Sequence, residues 1–400
     1  MMTAYSKTKT AMQVALFVYV AALFFSPPLS NLAELVLYLG FFAVCENRRT
    51  LYRLAQEPAG KAFSLFMIAI LVSVAVGIFR GWTDWSVLWS MRKLLIFPIA
   101  AVIFYGDDKA KSNFLYAIVA FGGLIALYGI VDRIYIDLPR GDRMLAPFNG
   151  MLLAAIFTST LVLLVRETRA YKILALTALC CLLLYAIILV GARSAYLASI
   201  LMATVVAVVV YWFRKQENIK TKTLLLVAVI ISASSIALLL HSNSQGRIIQ
   251  AMAEFHQPLH EGESTSIGQR KIFYANTIEM LEQYYLIGSG AASFERAYKS
   301  HIEAKGGDQS LLTRDPHNQF LKIWIEQGML GLIAFLAFLT ILLRNIGFGG
   351  MGLIGGAVLL GWMCSSLFNG HFGTFTEGRF IWAWMGIFLV SAPQKSLERK

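Results

Sequence analysis

The 400-residue chain is 58% hydrophobic and only 14% charged, with a formal net charge of +12. Roughly half the usual charge density excludes an ordinary soluble domain, and the hydrophobic content excludes a disordered chain.

About 17 to 25 apolar residues carry a helix across a bilayer. Twelve such runs are predicted, near residues 11–25, 29–45, 62–79, 93–105, 114–131, 147–165, 173–190, 195–213, 223–240, 319–343, 345–368 and 379–393. The first follows Lys7 and Lys9, as a signal peptide would, but "FFSPPLS" offers no small-x-small cleavage site and a second run follows at once. It reads as a retained helix. With the N-terminus inside, the inward segments hold 19 basic and seven acidic residues. The whole excess therefore lies on the cytoplasmic side, with both termini, as the positive-inside rule predicts. The basic balance marks topology and not nucleic-acid binding. Cys45 falls at an inner end and Cys180, Cys181 and Cys364 within apolar runs, so no disulfide framework is implied.

The predicted fold is all-α and polytopic. Residues 1–240 carry helices one to nine and residues 319–400 carry helices ten to twelve. Between them, residues 241–318 form the one connection large enough to fold over the bundle. The segments "GRIIQAMAEFHQPL" and "GQRKIFYANTIEMLEQYYLIG" place apolar residues at three- and four-residue spacing, so this outer piece is predicted to be a helical cap. All six histidines fall on the outer side. The stretch "GFGGMGLIGGAVLLG" contains a formal GxGxxG at Gly347, Gly349 and Gly352. No strand precedes it, so it reads instead as close helix contact through Gly352 and Gly356.

Arg193, in "LVGARSAYLA", is the only charge across the paired apolar runs from 173 to 213. The chain is predicted to reverse near Gly191 and Ala192, leaving Arg193 at the outer surface. A charge there either serves a ligand or snorkels to headgroups. Arg80, Arg92, Lys93, Arg133, Arg140, Arg143, Arg270 and Arg379 lie on the same side and could join it around an anion, since guanidinium donors pair in twos with phosphate.

In "RDPHNQFLKIWIEQGMLGL", Asp315 reads as an N-cap, Pro316 as the first helical residue, and His317 and Asn318 as the first turn. The positive end of the helix dipole favours an anionic ligand and a neutral, base-competent imidazole. Gly328 and Gly331 follow on nearly the same predicted face and would let a neighbouring helix approach. On residues alone His317 is either catalytic or ligand-binding, or else a capping or interface residue.

The order His317, Asn318, nine residues, Gly328, two residues, Gly331 resembles the H-[NSQ]-x9-G-x-x-[GTY] pattern of the O-antigen ligases and related bacterial oligosaccharyltransferases. "GARSAY" resembles that superfamily's arginine between two central spans, and residues 268–294 resemble its segment with an arginine heading a periplasmic helix and a G-x-G near its end. The resemblance implies transfer of glycan from undecaprenyl diphosphate to a sugar of lipid A-core at the periplasmic face of the bacterial inner membrane. It implies His317 as general base, Arg193 and Arg270 neutralising the diphosphate, Arg80, Lys93 and Asn318 assisting binding, and neither metal nor cofactor. The sequence contains no H-x-x-E-H or comparable ligand cluster, and for the family's acidic residue in the last outer loop it offers Glu377. An O-antigen polymerase shares the donor and topology but commonly has two sizeable outer loops, against the one predicted here. A lipid-linked sugar transporter, the reading from another class, expects charges within its spans.

Overall fold

Apolar runs leave the main chain to satisfy its own hydrogen bonds, and every regular element among the described residues is a helix. The computed structural model describes residues 4–133, 145–213, 266–307, 311–344 and 350–390. The predicted ninth span, residues 241–265 of the predicted loop, Arg140, Arg143, His241, His256 and His260 lie outside the described residues.

In chain order the helices are α1 (Ala4–Ala22), α2 (Pro27–Ala43), α3 (Cys45–Gln56), α4 (Pro58–Phe79), α5 (Trp85–Ser90), α6 (Ile96–Phe104), α7 (Asp108–Val131), α8 (Gly150–Arg166), α9 (Ala170–Val190) and α10 (Arg193–Phe213). After the undescribed stretch come α11 (Ser266–Glu279), α12 (Leu281–Tyr284), α13 (Phe294–Ala304), α14 (Gln319–Arg344), α15 (Gly350–Ser365) and α16 (Thr376–Phe388). Starts follow local chemistry. Ser26 Oγ accepts from Leu29 N ahead of Pro27 and Pro28, and Asp107 Oδ1 accepts from Ala110 N at 3.0 Å to start α7. Gly191, at φ 70°, ends α9 in the left-handed conformation and turns the chain into α10, at the predicted reversal.

Seven stretches among the described residues are long and apolar enough to cross a membrane, and an eighth is counted if α2 and α3, bent by 90° at Val44, form one span. Twelve spans were predicted from the sequence. Part of the difference is length: α15 has 16 residues, and α16 has 13, all of them buried. A short helix enclosed on all sides is apolar because of its neighbours, not because it meets lipid. The lipid-type surface is real elsewhere. Leu32, Leu35, Leu39 and Phe42 on α2 and Leu65, Ile68, Leu71 and Val72 on α4 are exposed, an apolar belt that water would not tolerate.

The bundle packs around α8, nearly every residue of which is buried against α9, α10 and α15. A second centre is aromatic: Phe63 and Phe66 of α4, Phe97 of α6, Phe338 of α14 and Trp382 of α16 interleave at centroid distances of 4.8 to 6.4 Å. In lipid such fit, rather than exclusion of water, holds helices together. The spans are less free of charge than their sequences suggest. Glu34 of α2 and Arg379 of α16, each 2% exposed, pair at 3.1 Å, and Arg92 closes on Glu34 at 3.1 Å. Arg379 and Arg92 thereby share one carboxylate, with Arg379 enclosed and Arg92 partly exposed.

The two motif glycines act differently from the prediction. Gly328 has φ 68° and ψ −176° and breaks α14 into two helical segments, so residue 317 and residue 328 share no continuous helical face. The break frees carbonyls that the segment after α12 takes up. Ser289 N donates to Ile325 O at 2.7 Å, Gly290 N to Glu326 O at 2.9 Å, and Met329 N donates back to Tyr285 O at 2.7 Å. This "GSG" strap passes so close to α4 that a Cβ on Gly290 would stand 2.3 Å from the Gly77 Cα. The small residues thus clamp the α11–α13 cap, with its own cluster of Phe273, Met280, Tyr284, Phe294 and Tyr298, onto the membrane helices.

Candidate active site

His317 stands just before α14, not inside it. Asn318 is the residue whose Oδ1 accepts from Phe320 N at 3.0 Å and Leu321 N at 3.1 Å, and so Asn318, rather than Asp315, is the N-cap. Asp315 makes the preceding turn: its Oδ1 accepts from His317 N at 2.7 Å, and its Oδ2 pairs with Lys322 at 3.0 Å. Two Asx residues three positions apart compete to cap one helix, and the one nearer the apolar run wins. The turn forces His317 to φ 56°, a left-handed conformation that costs a non-glycine residue roughly 1–2 kcal/mol. Such strain persists only where surrounding contacts enforce it.

Those contacts come from two directions. From α11, Phe273 stacks on the imidazole with centroids 6.1 Å apart and 24° between planes, and the Tyr274 hydroxyl lies 3.0 Å from His317 O and 2.8 Å from Leu367 O. From the segment joining α15 to α16, Asn369 Oδ1 faces His317 Nδ1 at 3.4 Å, and Ser366 O accepts from Gln319 N at 2.9 Å. Burial pushes the Tyr274 hydroxyl above the usual tyrosine range, with Arg270 opposing and Asp315 adding, so it remains a donor.

Arg270 precedes Tyr274 by one turn of α11. Burial holds its guanidinium below the usual arginine range; Tyr274 opposes this, and the neighbouring charge of Arg193 adds to it. Arg193 opens α10 and is exposed. Among the described residues neither guanidinium has a carboxylate partner. Two like charges with no described counter-ion are relieved by an anion. The structure therefore brings Arg193, Arg270, Tyr274 and His317 into one chain of neighbours.

Of the assisting residues, Asn318 adjoins His317, while Arg80 and Lys93 are held by main-chain carbonyls. Arg80 donates to Gly288 O at 3.1 Å and lies over the rings of Trp82 and Tyr284, steadying the strap. Lys93, buried, donates to Gly373 O and, at 3.2 Å, to Thr374 O. Asn318 gives its carbonyl oxygen to the cap and keeps its amide nitrogen. Glu377 turns inward: its Oε2 lies 2.8 Å from His371 Nδ1 and 3.0 Å from Thr374 Oγ1, while His371 Nε2 lies 2.8 Å from Ser365 Oγ. His371 is 0% exposed, and this relay fastens the last loop. Among the described residues no three His, Cys, Asp or Glu are grouped to hold a metal ion. Asn369 and Tyr274 are the residues that sequence reasoning missed. Tyr274 had a signal, lying four residues from Arg270 on a predicted helix; Asn369 had none.

The helical bundle thus carries two arginines without a carboxylate partner among the described residues and, linked to them through Tyr274, a strained histidine. The family described as O-antigen ligase matches residues 178–336, supporting membership of the O-antigen ligase superfamily. That family consists of O-antigen ligase and polymerase enzymes that act on lipid-linked polysaccharides. The matched stretch holds Arg193, Arg270, His317 and Asn318, and leaves out Arg80, Lys93, Asn369 and Glu377. No curated protein matches the chain.

Proposed function

We propose that this chain is an O-antigen ligase: it moves O-antigen polysaccharide from undecaprenyl diphosphate to a sugar of lipid A-core at the periplasmic face of the inner membrane. The observation that carries the reading is the Arg193 and Arg270 pair, without a carboxylate partner among the described residues, one side chain away from His317. A diphosphate supplies the missing negative charge, and the planar forks of two arginines match its oxygens. The single predicted outer loop favours ligase over polymerase.

In this reading His317 takes the proton of the acceptor hydroxyl as its oxygen attacks the anomeric carbon. The bond from that carbon to the diphosphate breaks, its electron pair leaves on the phosphate oxygen, and the configuration inverts. Arginines aimed at the leaving group supply an electrostatic gain of about 10²- to 10³-fold each. A histidine base adds roughly 10²- to 10⁴-fold, and no metal takes part.

The test is complementation of a ligase-deficient strain with His317→Ala and Arg193→Ala variants checked for normal membrane insertion. Both are expected to leave bare core on a lipopolysaccharide gel. Full-length lipopolysaccharide from either variant overturns the assignment, and core plus one repeat in a strain lacking this chain would identify a polymerase instead. A purified protein that moves radiolabelled donor between leaflets without transferring its glycan would be a transporter.

A further inference from the structure

The segment between α15 and α16 lies outside the family match, yet it is tied to its surroundings by several hydrogen bonds and reaches the imidazole. Its carbonyls bind Lys93 at one end and Gln319 N and the Tyr274 hydroxyl at the other, and its buried His371 is fixed between Ser365 and Glu377. Gly373 N and Thr374 N both donate to Gly370 O, at 2.8 and 3.2 Å, closing a tight turn just after Asn369.

The Asn369 side chain is oriented by its neighbour. Gly370 N lies 3.3 Å from Asn369 Oδ1, and a main-chain N–H can only donate, so the atom on that side is the oxygen. The same oxygen faces His317 Nδ1 at 3.4 Å. An amide oxygen can only accept, so this contact is a hydrogen bond when Nδ1 carries the hydrogen, and in the neutral ring that leaves the lone pair on Nε2. With Phe273 setting the ring plane, Nε2 is the nitrogen left to receive a proton.

We propose that Asn369 is a positioning residue for the transfer reaction, fixing the His317 tautomer that presents Nε2 as the base. The proposal rests on the functional reading above. Asn369 touches no reacting atom and acts through the imidazole, as carbonyl and carboxylate partners orient histidines at metal sites. The described titratable groups nearest the ring are Asp315 with Lys322, Tyr274 with Arg270 and Arg193 beyond it, and the His371–Glu377 pair. Asp315 is occupied by His317 N and Lys322, the Tyr274 hydroxyl by two carbonyls, and His371 and Glu377 by each other.

The experiment uses full-length protein in lipid nanodiscs with undecaprenyl-diphosphate-linked O-antigen and lipid A-core, comparing Asn369→Ala, Asn369→Asp and His317→Ala. Asn369→Ala is expected to lower kcat about 10- to 100-fold with little change in KM. Asn369→Asp is expected to recover most of the rate while moving the acidic limb of the pH profile to higher pH, because a carboxylate stabilises the imidazolium. Wild-type rate and profile in both variants overturn the proposal, as do two slow variants with an unshifted profile, which mark a structural role only. Nitrogen-15 shifts of labelled histidine in the unmutated protein give an independent reading: hydrogen on Nε2 of His317 also overturns it. Activity in His317→Ala instead removes the functional reading on which the proposal rests.

Discussion

Gly288 and Gly328 meet main chain against main chain: a Cβ on Gly328 would stand 2.1 Å from Leu286 O, and one on Gly288 would stand 2.4 Å from Glu326 O. Both have positive φ, 83° and 68° respectively, and the strap they join holds the cap that carries Arg270 and Tyr274 over the bundle. Gly328→Ala therefore suffers a left-handed alanine, roughly 1–2 kcal/mol, and a clash with a carbonyl that no rotamer relieves. Size-exclusion chromatography in detergent is expected to show loss of the folded peak, whereas Gly331→Ala, meeting the Gln327 side chain at 2.3 Å, loses less. Equal melting temperatures for Gly328→Ala and the parent would contradict the kink geometry.

Arg193 and Arg270 repel one another while the site is empty. Arg193→Gln is therefore expected to melt at the same temperature as the parent or slightly higher, while transfer falls about 10²- to 10³-fold. Added diphosphate should raise the melting temperature of the parent, since a ligand binding only the native state stabilises it. The variant should lose that response. A variant that melts well below the parent would place Arg193 in a structural role.

Tyr274 links the cap to both the histidine segment and the last loop through one hydroxyl. Tyr274→Phe removes that donor at a cost of about 1 kcal/mol and is expected to slow transfer several-fold without abolishing it. The pH dependence has a definite sign. The folded hydroxyl is pushed above the ordinary value of 10.0, so folding favours the protonated form. Its contribution is complete below that value and declines as the pH rises above it, because the unfolded chain ionises first. Alkaline unfolding curves of Tyr274→Phe should lack this component.

The strain at His317 gives another contrast. Glycine adopts φ 56° freely, so His317→Gly is expected to be more stable than His317→Ala by roughly 1 kcal/mol, while both are inactive. Denaturation in mixed micelles measures the difference, and equal stabilities would mean that the turn is not strained.

His371→Ala leaves the Glu377 carboxylate, 5% exposed, with only the Thr374 hydroxyl. Breaking a buried pair from one side typically costs about 3–5 kcal/mol, so a large drop in melting temperature is expected. Glu377→Gln keeps an acceptor for the imidazole and should fall less. If Glu377→Gln retained full stability but lost transfer, Glu377 would belong to the chemistry and not to the loop.

The residues of the candidate site stood out in the sequence one at a time. Arg193 stood out because a lone charge between two apolar runs has little reason to exist, and His317 and Arg270 because they head predicted helices in a recognisable order. The reversal at Gly191 followed from run length alone. Which of two Asx residues caps α14 was not legible, since Asp315 and Asn318 are both good caps and only the fold of the preceding turn decides. Nor was the part played by Gly328: glycine at that spacing suits a helix contact and a kink equally well, and the strap that takes up its freed carbonyls lies about 40 residues away in sequence.

The sequence by itself determined the class of protein, because the length of an apolar run is a local property that the bilayer reads directly. It also determined the kinds of group available for chemistry. Tertiary structure alone decided which of the outer cations remain free. Arg379 and Arg92 share the one carboxylate of Glu34, Lys93 is spent on two carbonyls, and Arg193 and Arg270 have no carboxylate partner among the described residues. Pairing of charges depends on distances between helices far apart in the chain, and a linear pattern carries no such distances.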